Sequence, residues 1–174
     1  MFYLINIMTI RISVFGYFSF VQQMISGLSS DSFSIQYLTK ERLDPSKLQP
    51  YSNLTETILI QSIKDPVVER TLTAFSPHYI FSCSFDEKIP EAICNIARVE
   101  SINFHPSLLP NYKGPDPFFW VINHGETISG ITAHKITQQW DSGDIIHQHP
   151  FNISDQETYS TLVTRTINEL SPML

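Results

Sequence analysis

Through the first hundred positions, short runs of β-branched and aromatic residues alternate with stretches in which apolar residues return every three or four positions. The first kind of pattern fits a buried strand and the second a helix with one buried face. Ile10 to Phe15 reads as a strand, and Gly16 marks the turn into a helix over Phe18 to Leu28. Phe33 to Leu38 predicts a second strand, "TKERLDPSKLQPYSN" a loop, and Thr57 to Gln61 a third strand. Asp65 and Pro66 then form a cap and first-turn pair. The carboxylate can accept an unpaired helix-start N–H, and proline has no N–H to leave unpaired. The helix they open carries Val68, Leu72 and Phe75 on one face. "HYIFSCSF" predicts a strand, Pro90 opens a helix over "PEAICNIA", and Val99 to Phe104 returns to a strand. Strands that alternate with helices predict an α/β fold with a doubly wound, mostly parallel sheet.

The last third has a different rhythm. Phe118 to His124 predicts a short helix whose "PFFW" covers the sheet, and Gly130 to Ile136 and Ile145 to Phe151 predict two strands joined through "TQQWDSGD". Ser154 and Glu157, three apart, form a capping box ahead of Tyr159, Leu162, Val163, Thr166, Ile167 and Leu170 at helical spacing. No internal repeat interrupts this order, so residues 8–174 are expected to form one domain. At the N-terminus "MFYLINIM" is apolar, yet no basic residue precedes it and Arg11 interrupts the run, which fits neither a signal peptide nor a membrane span. Residues 1–7 are expected to be a disordered extension, and the protein cytoplasmic and free of membrane.

Composition narrows the partners. With 11 Lys+Arg against 17 Asp+Glu and a net charge of −6, the chain lacks the basic footprint that phosphate neutralisation requires, so it is not expected to hold nucleic acid alone. Lys113 and Lys135 are too few to supply it. The 2 cysteines, Cys83 and Cys94, read as free thiols in a reducing compartment rather than a disulfide framework.

Against that background "SINFHPSLLPNYKG" stands out. An apolar strand runs into Asn103 and His105 and is followed by a segment stiffened by Pro106, Pro110 and Pro115. Ligands of open α/β sheets collect at the carboxyl ends of strands, where these two residues fall. In extended backbone, positions two apart face the same side, so an amide and an imidazole can address one reacting group. Asp141, in a glycine-bearing turn after a later strand, can join them. Asn donates to a developing oxyanion, His moves a proton near neutral pH, and a carboxylate holds the imidazole and raises its pKa.

"NFHPSLLPNYKGPDP" together with "SGITAHKITQQWDSGDII" resembles the catalytic domain of the formyltetrahydrofolate-dependent formyltransferases, the family that acts on methionyl-tRNA, glycinamide ribonucleotide and amino sugars. The resemblance runs from about Tyr79 to the C-terminus, since two separated blocks match in order and spacing, and is faint from Ile10 to Gln61. It implies a Rossmann-like formyltransferase domain with Asn103, His105 and Asp141 as catalytic residues. It also implies a folate pocket formed by Ser82, Ser84 and Phe85, by Ser107, Leu108, Leu109 and Pro110, and by Gln138, Gln139, Trp140 and Ser142. The implied reaction is attack by a primary amine on the formyl carbon of 10-formyltetrahydrofolate. Asn103 and protonated His105 would hold the oxygen of the tetrahedral intermediate, and Asp141 would fix His105. "VFGYFSF" keeps only Phe15 and Gly16 and lacks the purine enzyme's glycine-rich phosphate loop, which disfavours a ribonucleotide acceptor and leaves a small amine such as an amino sugar nucleotide, or methionyl-tRNA given an accessory domain. The chain ends soon after its capped helix, either as a fragment or as a minimal version of the domain. Two other readings stand beside this one: a metal-dependent hydrolase using His147 and His149, and an inactive folate-binding remnant.

Overall fold

The computed structural model describes residues 9–174, so residues 1–7, expected to be an extension, lie outside the described residues. Five strands are parallel neighbours: β1 (Ile10–Gly16), β2 (Phe33–Thr39), β3 (Leu54–Leu59), β4 (Tyr79–Cys83) and β5 (Glu100–His105). Two more, β6 (Ile128–Lys135) and β7 (Ile145–Asn152), add antiparallel at one edge. The order across the sheet is β3-β2-β1-β4-β5-β6-β7, the crossed-over order that a doubly wound sheet requires. Among the described residues five helices cover its faces: α1 (Phe18–Gly27), α2 (Pro66–Phe75), α3 (Glu91–Cys94), α4 (Pro117–Asn123) and α5 (Tyr159–Met173).

β1 shows why the central strands are near-continuously apolar, for it is buried on both sides. Ile12 and Val14 join Met24, Ile25, Leu162 and Leu170 in one core, whereas Phe15, on the opposite face, joins Leu38, Leu72, Ile80 and Ile93 in the other. Ser13, at 0% exposure, is tolerated because its hydroxyl donates to Gln36 Oε1 at 3.0 Å. The Asp65 cap of α2 is as predicted, its side chain accepting from the Val67 N–H at 3.0 Å with Pro66 in the first turn.

Some boundaries differ from the sequence reading. β3 starts at Leu54, not Thr57, and ends before Gln61. It is an outer, mostly exposed strand whose "LTETIL" is placed by hydrogen bonding to β2 rather than by burial, so hydrophobicity does not mark its start. The predicted loop after β2 contains one short 3₁₀ turn, Pro45–Lys47, capped by Asp44. The capping box of α5 is Thr158 with Thr161, not Ser154 with Glu157. Thr161 N–H donates to Thr158 Oγ1 at 3.3 Å, and Thr158 N–H donates to Thr161 Oγ1 at 2.9 Å. Glu157 is drawn into a separate turn, its N–H donating to the Ser154 carbonyl at 3.0 Å and its carboxylate accepting from Arg165. In "PFFW", Phe118 is buried on the sheet, while Phe119 and Trp120 face solvent at 49% and 46% exposure. Among the described residues no helix is long and apolar enough to cross a membrane.

Candidate active site

β5 ends at His105 in the middle of the sheet, and its carboxyl end is where the antiparallel β6 begins to run back alongside it. Asn103 pairs in register with His134, and His105 with Thr132. That pairing brings to Asn103 a side chain the sequence reading had not singled out. His134 is 2% exposed, and its Nδ1–H donates to the Lys135 carbonyl at 2.9 Å, which leaves Nε2 to accept from Asn103 Nδ2 at 3.1 Å.

Asp141 completes the cluster from the loop between β6 and β7. Its Oδ2 lies 3.5 Å from His105 Nδ1, and its Oδ1 lies 3.4 Å from His134 Nε2 and 3.5 Å from Asn103 Nδ2. Oδ2 also accepts the Gly114 N–H at 2.8 Å. Asp141 is 7% exposed with φ of 46°, a left-handed conformation that Asp tolerates better than most residues but that still stores strain. The structure thus brings Asn103, His105 and Asp141 together and adds His134.

The carboxylate stays ionised against its surroundings. Burial alone would raise its pKa, but the His134 ring, the nearby His105 ring and the Gly114 N–H together hold it below the ordinary value. His105 corrects a sequence expectation. Asp141 does pull its pKa upward, yet burial outweighs that attraction and the ring ends below its ordinary 6.5. Its Nε2–H donates to the Tyr112 carbonyl at 2.8 Å, so the nitrogen facing Asp141 is Nδ1, the atom that gains the proton when the ring is charged.

These two depressed values set a stability dependence on pH. A histidine whose folded pKa is lowered binds its proton less readily in the folded state, so folding loses stability as pH falls below about 6.5. Asp141, also lowered, adds its own loss further into acid. The melting temperature is therefore expected to fall from pH 7 toward pH 5, and more shallowly in His105→Asn, which removes the first titration. An identical slope in that variant, followed by differential scanning fluorimetry, would contradict the assignment.

Above the cluster opens a cavity of about 890 Å³. The β4 end contributes Ser82, Ser84 and Phe85, the loop after β6 contributes Gln139 and Trp140, and Asn103, His105, His134 and Asp141 form its floor. Ser84 has φ of 49°, the bend by which the chain leaves β4 along the cavity wall. Six other residues of the expected folate pocket lie outside this lining. Ser107 is fully buried and donates to the Asn111 carbonyl at 2.8 Å, Leu108 lies against Gly130, and Leu109 N–H donates to Thr132 Oγ1 at 3.0 Å. With exposed Pro110 they form the turn that returns the chain to Tyr112 and its carbonyl beside His105. Gln138 accepts a hydrogen bond from Lys88 through its carbonyl, and the Ser142 hydroxyl donates to the Trp140 carbonyl at 2.9 Å and accepts from Lys113 at 3.0 Å. These contacts shape the loop rather than face the cavity.

His147 and His149 sit on β7, away from the cavity lining, and His149 Nε2 pairs with Glu169 at 2.8 Å. Among the described residues no group of three His, Cys, Asp or Glu is placed to hold a metal ion.

Residues 10–172 match the family model described as Formyl transferase. A methionyl-tRNA formyltransferase of Syntrophus aciditrophicus (strain SB) is 33% identical over 124 residues, covering 71% of this chain and 40% of the relative. The chain therefore spans well under half the length of that curated relative. Among solved structures, glycinamide ribonucleotide transformylase 1 from Symbiobacterium toebii superposes with a TM-score of 0.82 at 18% identity, over 99% of this chain and 87% of the other. A formyltetrahydrofolate deformylase from Pseudomonas syringae pv. tomato str. DC3000 superposes with a TM-score of 0.78 at 18% identity, over 95% of this chain and 58% of the other. At these identities the two structures speak to the fold.

Proposed function

We propose, from the premise that the chain belongs to the formyl transferase family, that it moves the formyl group of 10-formyltetrahydrofolate to a primary amine. The observation that carries this reading is the juxtaposition of Asn103, His105 and Asp141 at the floor of a cavity of about 890 Å³, within the range that holds drug-sized ligands. A donor whose formyl group reaches that floor meets an amide donor and a protonatable ring on the same strand face.

The amine nitrogen attacks the formyl carbon, a C–N bond forms, and the carbonyl electrons move to oxygen. Asn103 Nδ2 donates one N–H to His134 Nε2 at 3.1 Å and is only loosely held to Asp141 at 3.5 Å, so its second N–H is the one turned to that oxyanion, and the charged His105 supports it. Collapse breaks the bond to the folate N10, which takes up a proton as the amine loses one. Asp141, ionised and close to His105 Nδ1, favours the charged ring when it is needed and receives the proton afterwards, through water. The acceptor suggested by the acidic chain is a small amine such as an amino sugar nucleotide, since a net charge of −6 offers little to a tRNA backbone. Incubation with 10-formyltetrahydrofolate and a panel of amines, monitored for tetrahydrofolate and N-formyl product, tests this directly. Tetrahydrofolate with free formate would instead indicate hydrolysis, and loss of activity in EDTA restored by Zn²⁺ would favour a metal-dependent hydrolase.

Folate binding has its own reporter. Trp140 lines the cavity and is 54% exposed, so a pterin seated between the β4 end and the loop after β6 changes its surroundings. Titrating a reduced folate is expected to change tryptophan fluorescence, with most of the change lost in Trp140→Phe and kept in Trp120→Phe. A response unaltered by Trp140→Phe would move the pocket elsewhere.

A further inference from the structure

Both members of the His105–Asp141 pair are held from one side by the same three residues. The Tyr112 carbonyl accepts His105 Nε2–H at 2.8 Å, and Gly114 N–H donates to Asp141 Oδ2 at 2.8 Å. Between them Lys113 Nζ donates to Ser142 Oγ at 3.0 Å, one residue past Asp141. Where this segment sits therefore decides how the imidazole is turned toward the carboxylate. Its shape is strained, for Tyr112 has φ of 58°, a left-handed conformation that a bulky side chain adopts only where its surroundings fix it.

What fixes it is the Tyr112 side chain. The phenol donates its one hydrogen to Glu126 Oε1, so the His124 contact at 3.1 Å is a donation from His124 Nδ1–H to the phenol oxygen. The bond to the carboxylate pushes the phenol pKa up to about 12, which keeps the donor proton in place near neutral pH. Glu126 is itself seated on a rigid post. α4 ends in a glycine-capped turn in which Gly125 N–H donates to the Ile122 carbonyl at 3.0 Å and Glu126 N–H to the Val121 carbonyl at 3.2 Å. The same helix is fixed to the core by Phe118 and Val121. Tyr112, His124 and Glu126 all lie outside the cavity lining, so the tie serves something other than contact with a ligand.

The chemistry at stake is which ring nitrogen carries the proton of neutral His105. A carboxylate 3.5 Å from Nδ1 favours the tautomer with the proton there, donated to Asp141. A carbonyl oxygen 2.8 Å from Nε2 can only accept, and so favours the tautomer with the proton on Nε2. The carbonyl contact is the shorter, and it leaves the Nδ1 lone pair open beside Asp141. Against burial, the largest influence, and against the neighbouring His134, Asp141 and then this carbonyl draw the ring toward its charged form. We propose, resting on the formyl-transfer reading above, that Tyr112 is a positioning residue. Its phenol, moored to Glu126 at the end of α4, holds its carbonyl on His105 Nε2–H, so that Nδ1 is the nitrogen that takes and returns the proton during formyl transfer.

The test reads the ring directly. Histidine ring nitrogen resonances, with His105 assigned by its loss in His105→Asn, report the tautomer in the parent, Tyr112→Phe and Glu126→Ala. Tyr112→Phe keeps the aromatic ring and its packing, and Glu126→Ala leaves Tyr112 whole, so either variant answers if the other fails to fold. The parent is expected to show the Nε2–H tautomer, and each variant a growing Nδ1–H signal together with a His105 titration moved to lower pH. A ring with the parent's tautomer and titration in both variants overturns the proposal, since a merely structural tie would lower the melting temperature and leave the ring unchanged. A second arm measures turnover. Each variant should lose about tenfold in kcat, as a slightly misplaced group does, while the KM for the folate stays within about twofold. The double variant should lose little more than the worse single. Loss confined to KM, or full additivity, also overturns it. If the parent formylates no amine, the activity assignment fails on its own, while the ring resonances still report on Tyr112.

Discussion

Asp141→Asn is expected to lower formyl transfer on the order of 100- to 1000-fold while the protein keeps its melting temperature to within a few degrees. The size follows from removing charge stabilisation at a desolvated reacting centre. The carboxylate faces His105 Nδ1 at 3.5 Å and His134 Nε2 at 3.4 Å, and an amide there can neither favour the imidazolium nor accept its proton. The fold should survive for two reasons. Asparagine tolerates the left-handed conformation at φ of 46°, and its Oδ1 can still accept the Gly114 N–H that Asp141 accepts at 2.8 Å. Asn103→Ala and His105→Ala should show losses of similar size, and pairs of these substitutions should lose little more than the singles, because the groups act on one intermediate. Turnover within tenfold of the parent for Asp141→Asn, measured as tetrahydrofolate release at saturating folate, would remove the carboxylate from the mechanism.

Most of the fold is legible in the sequence because the central strands are buried on both faces and so write themselves as apolar runs, as β1 does in Ile12, Val14 and Phe15. Legibility falls where hydrogen bonding rather than burial decides. Outer strand β3 carries polar residues on its exposed positions, so its first residues look like loop. The box ahead of α5 is ambiguous because Ser154 to Glu157 and Thr158 to Thr161 both offer side chains three apart, and the competing turn at Glu157 decides between them.

The site divides in the same way. Asn103 and His105 can be read from one strand, since alternation puts them on one face. His134 cannot, because it reaches Asn103 through the antiparallel register of β5 and β6, across a long connection that contains the "PSLLP" turn and α4. The one local hint was a run of polar residues, Ser129, Thr132 and His134, in a strand otherwise apolar enough to be buried. Buried polar groups in such a strand need partners, and here the partners are the site and its supporting turn: Thr132 Oγ1 donates to the Ser107 carbonyl at 2.6 Å and accepts from the Leu109 N–H.

The largest stability effect is expected at Gly16, the last residue of β1. Its φ is 151°, and a Cβ built on it would lie 2.0 Å from the Cys83 carbonyl oxygen and 3.2 Å from a Val21 methyl. The oxygen belongs to β4 backbone, so no side-chain rotation can relieve the clash; the ends of β1 and β4 must separate. Strained backbone and overpacking each cost about 1–3 kcal/mol, so Gly16→Ala should lose roughly 3 kcal/mol or more. For a domain of this size that is a fall in melting temperature on the order of 10 °C. Gly125→Ala isolates the conformational part, because Gly125 has φ of 64° with nothing within 4 Å of the added methyl, and it should lose only about 1 kcal/mol. Function should follow the strand ends. Gly16 pairs in register with Cys83, which sits between Ser82 and Ser84 of the cavity wall, so prying β1 from β4 moves the surface proposed to hold folate. Gly16→Ala should therefore weaken folate binding at temperatures where it is still folded, whereas Gly125→Ala should not. A Gly16→Ala protein that melts as Gly125→Ala does and binds folate like the parent would show that the close approach of these two strands is not what fixes that wall.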